Sequence, residues 1–141
     1  MVDHIQNPRE VTRANIKTQM LTGTYLSQKR LLQIKKTSSD ICLICGSESE
    51  DIVHILTKCP ATDQVRKKYM PVVLNSIPSV YIQKPRIAES KHLLTQYILD
   101  PSHPKITDII DIPIAMYETV ESVTRNMCFA LHVARTNLYP S

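Results

Sequence analysis

A chain of 141 residues with 17 Lys and Arg against 13 Asp and Glu, four cysteines, no tryptophan and one phenylalanine has room for one domain with its own core and little room for two. The formal charge of +4 fits an ordinary solvated surface or an anionic partner, whereas no stretch approaches the roughly eighteen apolar residues of a membrane span and MVDHIQNPRE lacks the hydrophobic core of a signal peptide. The expectation is a soluble intracellular protein, a single domain over 1–141 without a membrane partner, whose cysteines stay reduced and open to metal.

The basic excess is concentrated at the start. Residues 1–36 hold Arg9, Arg13, Lys17, Lys29, Arg30, Lys35 and Lys36 against Asp3 and Glu10. Asn7, Pro8 and Glu10 make a helix start, with a capping side chain, a proline at the first helical position and an acid in the first turn, and predict a helix to about Met20. Gly23 interrupts the pattern. A second helix is predicted from Thr24 to about Lys35, with Tyr25, Leu26, Leu31 and Leu32 as its apolar positions. Residues 9–36 thus read as a basic helical hairpin, and TSSD (37–40) as the loop after it; strand signals are faint beyond a short extension around Ile41 and Leu43.

Cys42, Cys45, His54 and Cys59 follow at the spacing C-x2-C-x8-H-x4-C. Soft sulfur and imidazole in a set of four is the ligand chemistry of a closed, tetrahedral zinc site, with no position left for water. Gly46 supplies the left-handed turn such a knuckle requires. Ser47 and Glu50 stand three apart, the pattern of a capping box, before Ile52, Val53, Ile55 and Leu56, so His54 is expected to ride on a short helix with Cys59 at its exit. Glu50 or Asp51 is placed to accept the second ring N–H of His54. A redox dithiol is the competing meaning of C-x2-C, and it lacks the βαβ context that motif needs.

Pro60 opens a helix expected to run to about Tyr69, with Arg66, Lys67 and Lys68 toward its end and Pro71 ending or kinking it. Residues 72–85 read as an irregular connector. Pro85 starts RIAESKHLLTQYIL, whose Ile87, Leu93, Leu94, Tyr97 and Ile98 share a face, and DPSHP ends it. Pro113 starts the longest periodic run, in which Tyr117, Val120, Thr124, Met127, Cys128, Leu131, Ala134 and Leu138 form one stripe. Arg125, His132 and Arg135 lie off the stripe; His132 and Arg135 read as a solvated helix face, with phosphate contact as the alternative, and Cys128 as a small buried helix residue. No nucleophile motif such as G-x-S-x-G occurs, so neither an enzyme nor a small-molecule substrate is expected.

LTGTYLSQKR (21–30), the 42–59 cluster ending in Cys-Pro, and Arg66 in QVRKKY resemble the C-terminal zinc-binding (CCHC) region of non-long-terminal-repeat retrotransposon reverse transcriptases; LLTQYILDPSHP and CFALHVAR are similar to the tails of such polyproteins. The chain has no Asp-Asp pair of the polymerase motif, and so resembles a tail without polymerase or endonuclease. That resemblance implies a mostly α-helical, zinc-stapled, non-catalytic module of a nuclear or cytoplasmic ribonucleoprotein that helps hold template RNA or target DNA. Phosphate contacts are then expected from Arg13, Lys17, Arg30, Lys35, Lys36, Arg66 and Lys67, without much sequence specificity. The alternative is a structural protein-interaction module in which zinc replaces missing core.

Overall fold

The computed structural model describes residues 8–139, with side chains from Thr12 onward. Seven α-helices lie among them: α1 (Pro8–Thr22), α2 (Gln28–Gln33), α3 (Asp63–Asn75), α4 (Lys84–Glu89), α5 (Lys91–Leu99), α6 (Pro104–Thr107) and α7 (Tyr117–Leu138). Short 3-10 turns, Pro60–Thr62 and Ile114–Met116, lead into α3 and α7, and a π-helical turn spans His54–Lys58. Among the described residues the only β-pairing is one antiparallel bridge, Ile41 to Ser49. The protein is mostly α, with its cysteine and histidine cluster between helices, as expected.

Local chemistry explains where the helices stop. α1 ends at Gly23, whose φ of +80° lets the Thr24 N–H turn back onto the Gln19 carbonyl at 3.0 Å, a left-handed helix closure. Its expected cap, Asn7, lies outside the described residues. The second helix is shorter than Thr24–Lys35. Ser27 caps it by accepting from the Arg30 N–H at 3.2 Å, so Tyr25 and Leu26 precede it. At the other end Lys36 and Lys35 donate to Leu31 and Leu32 at 2.8 and 3.0 Å, and Lys35 takes the left-handed position with φ 60°, a place glycine usually fills.

Two proline and serine positions also differ from expectation. Pro71 neither ends nor visibly breaks α3, which continues to Asn75. The proline removes one backbone donor, and the turn beyond it is held because Val73 and Ile77 are fully buried. The segment starting near Pro85 is two helices, since Ser90 is extended (φ −103°, ψ 116°) and accepts from the Leu93 N–H to cap α5. His103 similarly caps α6 through Nδ1, a short helix in what reads as a terminating loop.

The core is built on α7, against which α1 and α3 both pack. Its inward residues are Val120, Thr124, Met127, Cys128, Leu131 and Arg135, the middle of the predicted stripe; Tyr117 and Ala134 are half-buried and Leu138 is exposed, the buried place near the C-terminal end being taken by Arg135. Leu56, Val73, Ile77, Ile87, Tyr97, Ile98 and Ile106 complete the fully buried hydrophobic set around them; with few aromatics, aliphatic side chains carry the hydrophobic burial. Lys17, expected to contact phosphate, instead faces α7. Its ammonium is buried and donates to Glu121 at 2.6 Å and to Thr124 Oγ1 at 2.8 Å, so its charge is consumed between α1 and α7.

Because an L-residue at φ 60° costs more than glycine does there, Lys35→Gly is expected to stabilise the protein by about 0.5–1 kcal/mol in urea unfolding, even though it deletes a charge from the basic segment.

Candidate metal centre

Three local devices shape the knuckle. The Ile41–Ser49 bridge is closed by Cys42 N–H to Glu48 O at 2.9 Å and Glu50 N–H to Asp40 O at 2.8 Å. Between its arms, Gly46 adopts φ 68° and donates its N–H to Cys42 O at 2.9 Å. The tight turn aims the Ile44 and Cys45 amides at the Cys42 sulfur and the Ser47 amide at that of Cys45, a cradle suited to thiolates.

The H-x4-C half depends on the π-turn. In an α-helix residues five apart point about 140° away from each other, whereas a π-turn closes i to i+5. Cys59 N–H donates to His54 O at 2.9 Å, and the wide turn carries both ligands to one side. His54 was expected on an ordinary short helix; the extra residue in the turn is what that spacing requires. Ser47 does not cap it. Asp51 does, accepting the His54 N–H at 2.7 Å, while Ser47 Oγ lies 3.2 Å from Cys45 Sγ.

One ligand atom from each of Cys42, Cys45, His54 and Cys59 lies within 4.8 Å of the others, and these four residues are placed to hold a metal ion. The Cys42 and Cys59 sulfurs are 3.9 Å apart, and His54 Nε2 is 3.5 Å from Cys45 Sγ. A tetrahedral ion with metal–sulfur and metal–nitrogen bonds of about 2.3 and 2.0 Å has edges of about 3.8 and 3.5 Å, so these two pairs already stand at coordination spacing. Cys42, His54 and Cys59 are buried and Cys45 is partly exposed. Burial pushes the Cys42 thiol up to about 12; at Cys45 the same effect is overcome by hydrogen bonds from Ser47, and the thiol falls to about 6. A cation is what allows all three sulfurs to be thiolates together.

His54 is oriented by Glu48, whose Oε1 lies 2.8 Å from Nδ1, leaving Nε2 for the ion. Glu50 and Asp51 were the expected partners, and both are committed elsewhere. The Glu50 carboxylate faces away from His54 and accepts from Arg135 Nε and Nη2 at 2.9 and 2.8 Å and from the Gln28 N–H at 2.8 Å. Burial opposes both charges, yet the pair holds Glu50 below and Arg135 above their ordinary ranges. Arg135 also donates to Leu26 O at 3.0 Å and lies over the rings of Tyr139 and Tyr25, 4.3 and 5.3 Å from their centroids. It was expected on a solvated face.

Arg66 is, with Lys17 and Arg135, a third cation turned inward. It donates to the carbonyls of Leu56, Cys59 and Ile55 at 3.0, 2.9 and 3.2 Å, and to Thr62 Oγ1 at 2.9 Å. The Ile55 and Leu56 carbonyls are ones that the end of the π-turn leaves without helical donors, while that of Cys59 also accepts from the Thr62 N–H at 3.3 Å; a guanidinium supplies several donors in one plane. Arg66 therefore supports the metal loop and is not placed to bind phosphate.

The other expected phosphate contacts separate into groups. Arg30 is half-buried and Lys35 and Lys36 are exposed, close together on α2 and its exit. Lys67 is exposed and pairs with Asp63 at 3.1 Å. Arg13 donates to Asn126 Oδ1 at 3.2 Å and sits 5.6 Å from the Phe129 ring centroid. Glu48, Glu50 and Arg135 carry no sequence signal for these roles, because their partners are set by the folded chain; Arg66, seven residues after Cys59, is legible only as a cation beside the motif.

No family model, curated protein or solved structure matches this chain.

Cys45→Ser is expected to lose the metal, read by native mass spectrometry, whereas Cys128→Ala keeps it, since Cys128 is fully buried on α7 and outside the cluster. Removing one partner of the buried pair strands the other's charge. Arg135→Met should therefore cost about 3–5 kcal/mol in urea unfolding, and adding Glu50→Gln should recover much of that loss.

Proposed function

We propose that the protein is a non-catalytic, zinc-stapled module that binds nucleic-acid backbone. Zinc is the ion that fits best: three sulfurs and one imidazole at tetrahedral spacing form a closed structural set, which leaves no coordination position for a substrate or a water nucleophile. The resemblance of residues 21–30 and 42–59 to the C-terminal zinc region of non-long-terminal-repeat retrotransposon reverse transcriptases supports the same reading, and with it a place beside RNA or DNA in a ribonucleoprotein.

One observation carries the nucleic-acid part. From Thr24 to Ser39 the chain holds Lys29, Arg30, Lys35 and Lys36 and no acid, and none of these four cations has an ion pair among the described residues. The segment is fixed to the metal knuckle by two backbone donors, Gln28 N–H to Glu50 Oε1 at 2.8 Å and Lys29 N–H to Glu50 O at 3.0 Å. Ordered, unpaired cations on a preorganised turn suit phosphates. Lys17 and Arg66 are excluded from the contact set by their burial, and Arg30, Lys35 and Lys36 are its centre.

Each phosphate contact releases counterions, so log affinity should fall with log salt by roughly 0.7–0.9 per contact. Replacing Arg30, Lys35 and Lys36 together by alanine should flatten that slope by about two to three while leaving metal content unchanged. Lys17→Met should leave it unaltered. Absence of binding to single- and double-stranded RNA and DNA at low salt, or a slope indifferent to the triple substitution, sinks the proposal in favour of a purely structural module.

A further inference from the structure

α7 carries a second face at the margin of its core, where Phe129 is only partly buried. Opposite part of the buried stripe, Phe129, Ala130, Val133 and Ala134 recur at helical spacing and form the floor of a groove of about 620 Å³. Arg13 of α1 lies on one bank, and Val65, Lys68 and Tyr69 of α3 on the other. α1 and α3 each pack against α7 but make no comparable contact with each other. The groove is therefore the slot that one more helix fills in a bundle. From Asn126 to Asn137, both of which line it, α7 offers about 16 Å, or three helical turns. A smaller hollow of about 270 Å³ prolongs it past His132 and Thr136.

Charge selects the occupant. Arg13 and Lys68 stand on opposite banks, 5.6 Å and 5.4 Å from the centroids of Phe129 and Tyr69, and no Asp or Glu lines the groove among the described residues. The other large hollow, near α5 and α7, mixes Asp100, Glu118 and Glu121 with Lys17 and Arg125. An aliphatic floor beside the exposed ammonium of Lys68 matches an apolar stripe edged with carboxylates. Nucleobases match it less well, because the two aromatic rings already carry cations over them and the rest of the floor offers no stacking surface.

We propose that this groove docks an acidic amphipathic helix of a partner protein, about three turns long, with its apolar i, i+3, i+4 side chains on the α7 floor and its carboxylates toward Lys68. The proposal is independent of the nucleic-acid reading, which concerns the cations of α2.

The test is a display library of helix-favouring peptides selected on the full zinc-loaded chain, with affinities of the selected peptides measured by fluorescence anisotropy. Selected peptides should combine apolar residues at three-and-four spacing with flanking Asp or Glu. Their affinity should drop by about tenfold or more with Val133→Glu, which charges the floor, and with Lys68→Glu, which reverses one bank. Circular dichroism and metal content report folding; Lys68 is exposed, so Lys68→Glu remains informative if Val133→Glu unfolds the chain. The Arg30, Lys35 and Lys36 triple alanine variant should bind the same peptides unchanged. Selection without acidic enrichment overturns the proposal, as does binding indifferent to both substitutions. So does a dimer of the chain that Val133→Glu dissolves, or a single-stranded oligonucleotide that competes for the groove.

Discussion

The buried contact between Glu50 and Arg135 holds the rest of the structure in register. Glu50 belongs to the metal knuckle, Arg135 to the last turn of α7, and the same two side chains reach the Gln28 amide and the Leu26 carbonyl. Three segments far apart in the chain thus meet on one carboxylate and one guanidinium. A buried pair of this kind adds little net stability over apolar packing, but any arrangement that separates the partners strands a charge. It therefore penalises misplacement of the knuckle on the helices more than it deepens the native state.

The metal loop depends on the same economy of donors. A π-turn brings His54 and Cys59 together, and its unused Ile55 and Leu56 carbonyls are taken up by Arg66. Glu48 orients the imidazole from outside. The cysteine and histidine cluster, the turn and Arg66 are thus coupled: the four side chains gather only if the wide turn forms, and Arg66 satisfies the Ile55 and Leu56 carbonyls at its end.

Positive charge in this protein consequently has two uses. Lys17, Arg66 and Arg135 hold elements together from inside, and Lys29, Arg30, Lys35 and Lys36 remain outside on a segment that the knuckle fixes in place. The proposed backbone contacts and the proposed helix-binding groove draw on different cations, so one surface can be altered without the other. A count of basic residues along the chain merges these populations.

What the sequence determined by itself was whatever depends on neighbours along the chain: the four ligands, the left-handed Gly46, the helical composition and the buried stripe of α7 all follow from local spacing and periodicity. Helix ends were less legible, since Ser27 and Ser90 compete with other plausible caps, and Pro71 is tolerated only because Val73 beyond it is anchored in the core. The direction of the charged side chains was decided by the tertiary structure alone. Arg135 sits on the edge of an amphipathic stripe and Lys17 has no local partner, so their burial follows from carboxylates 85 and 104 positions away in the sequence, a distance over which no periodicity or motif carries information.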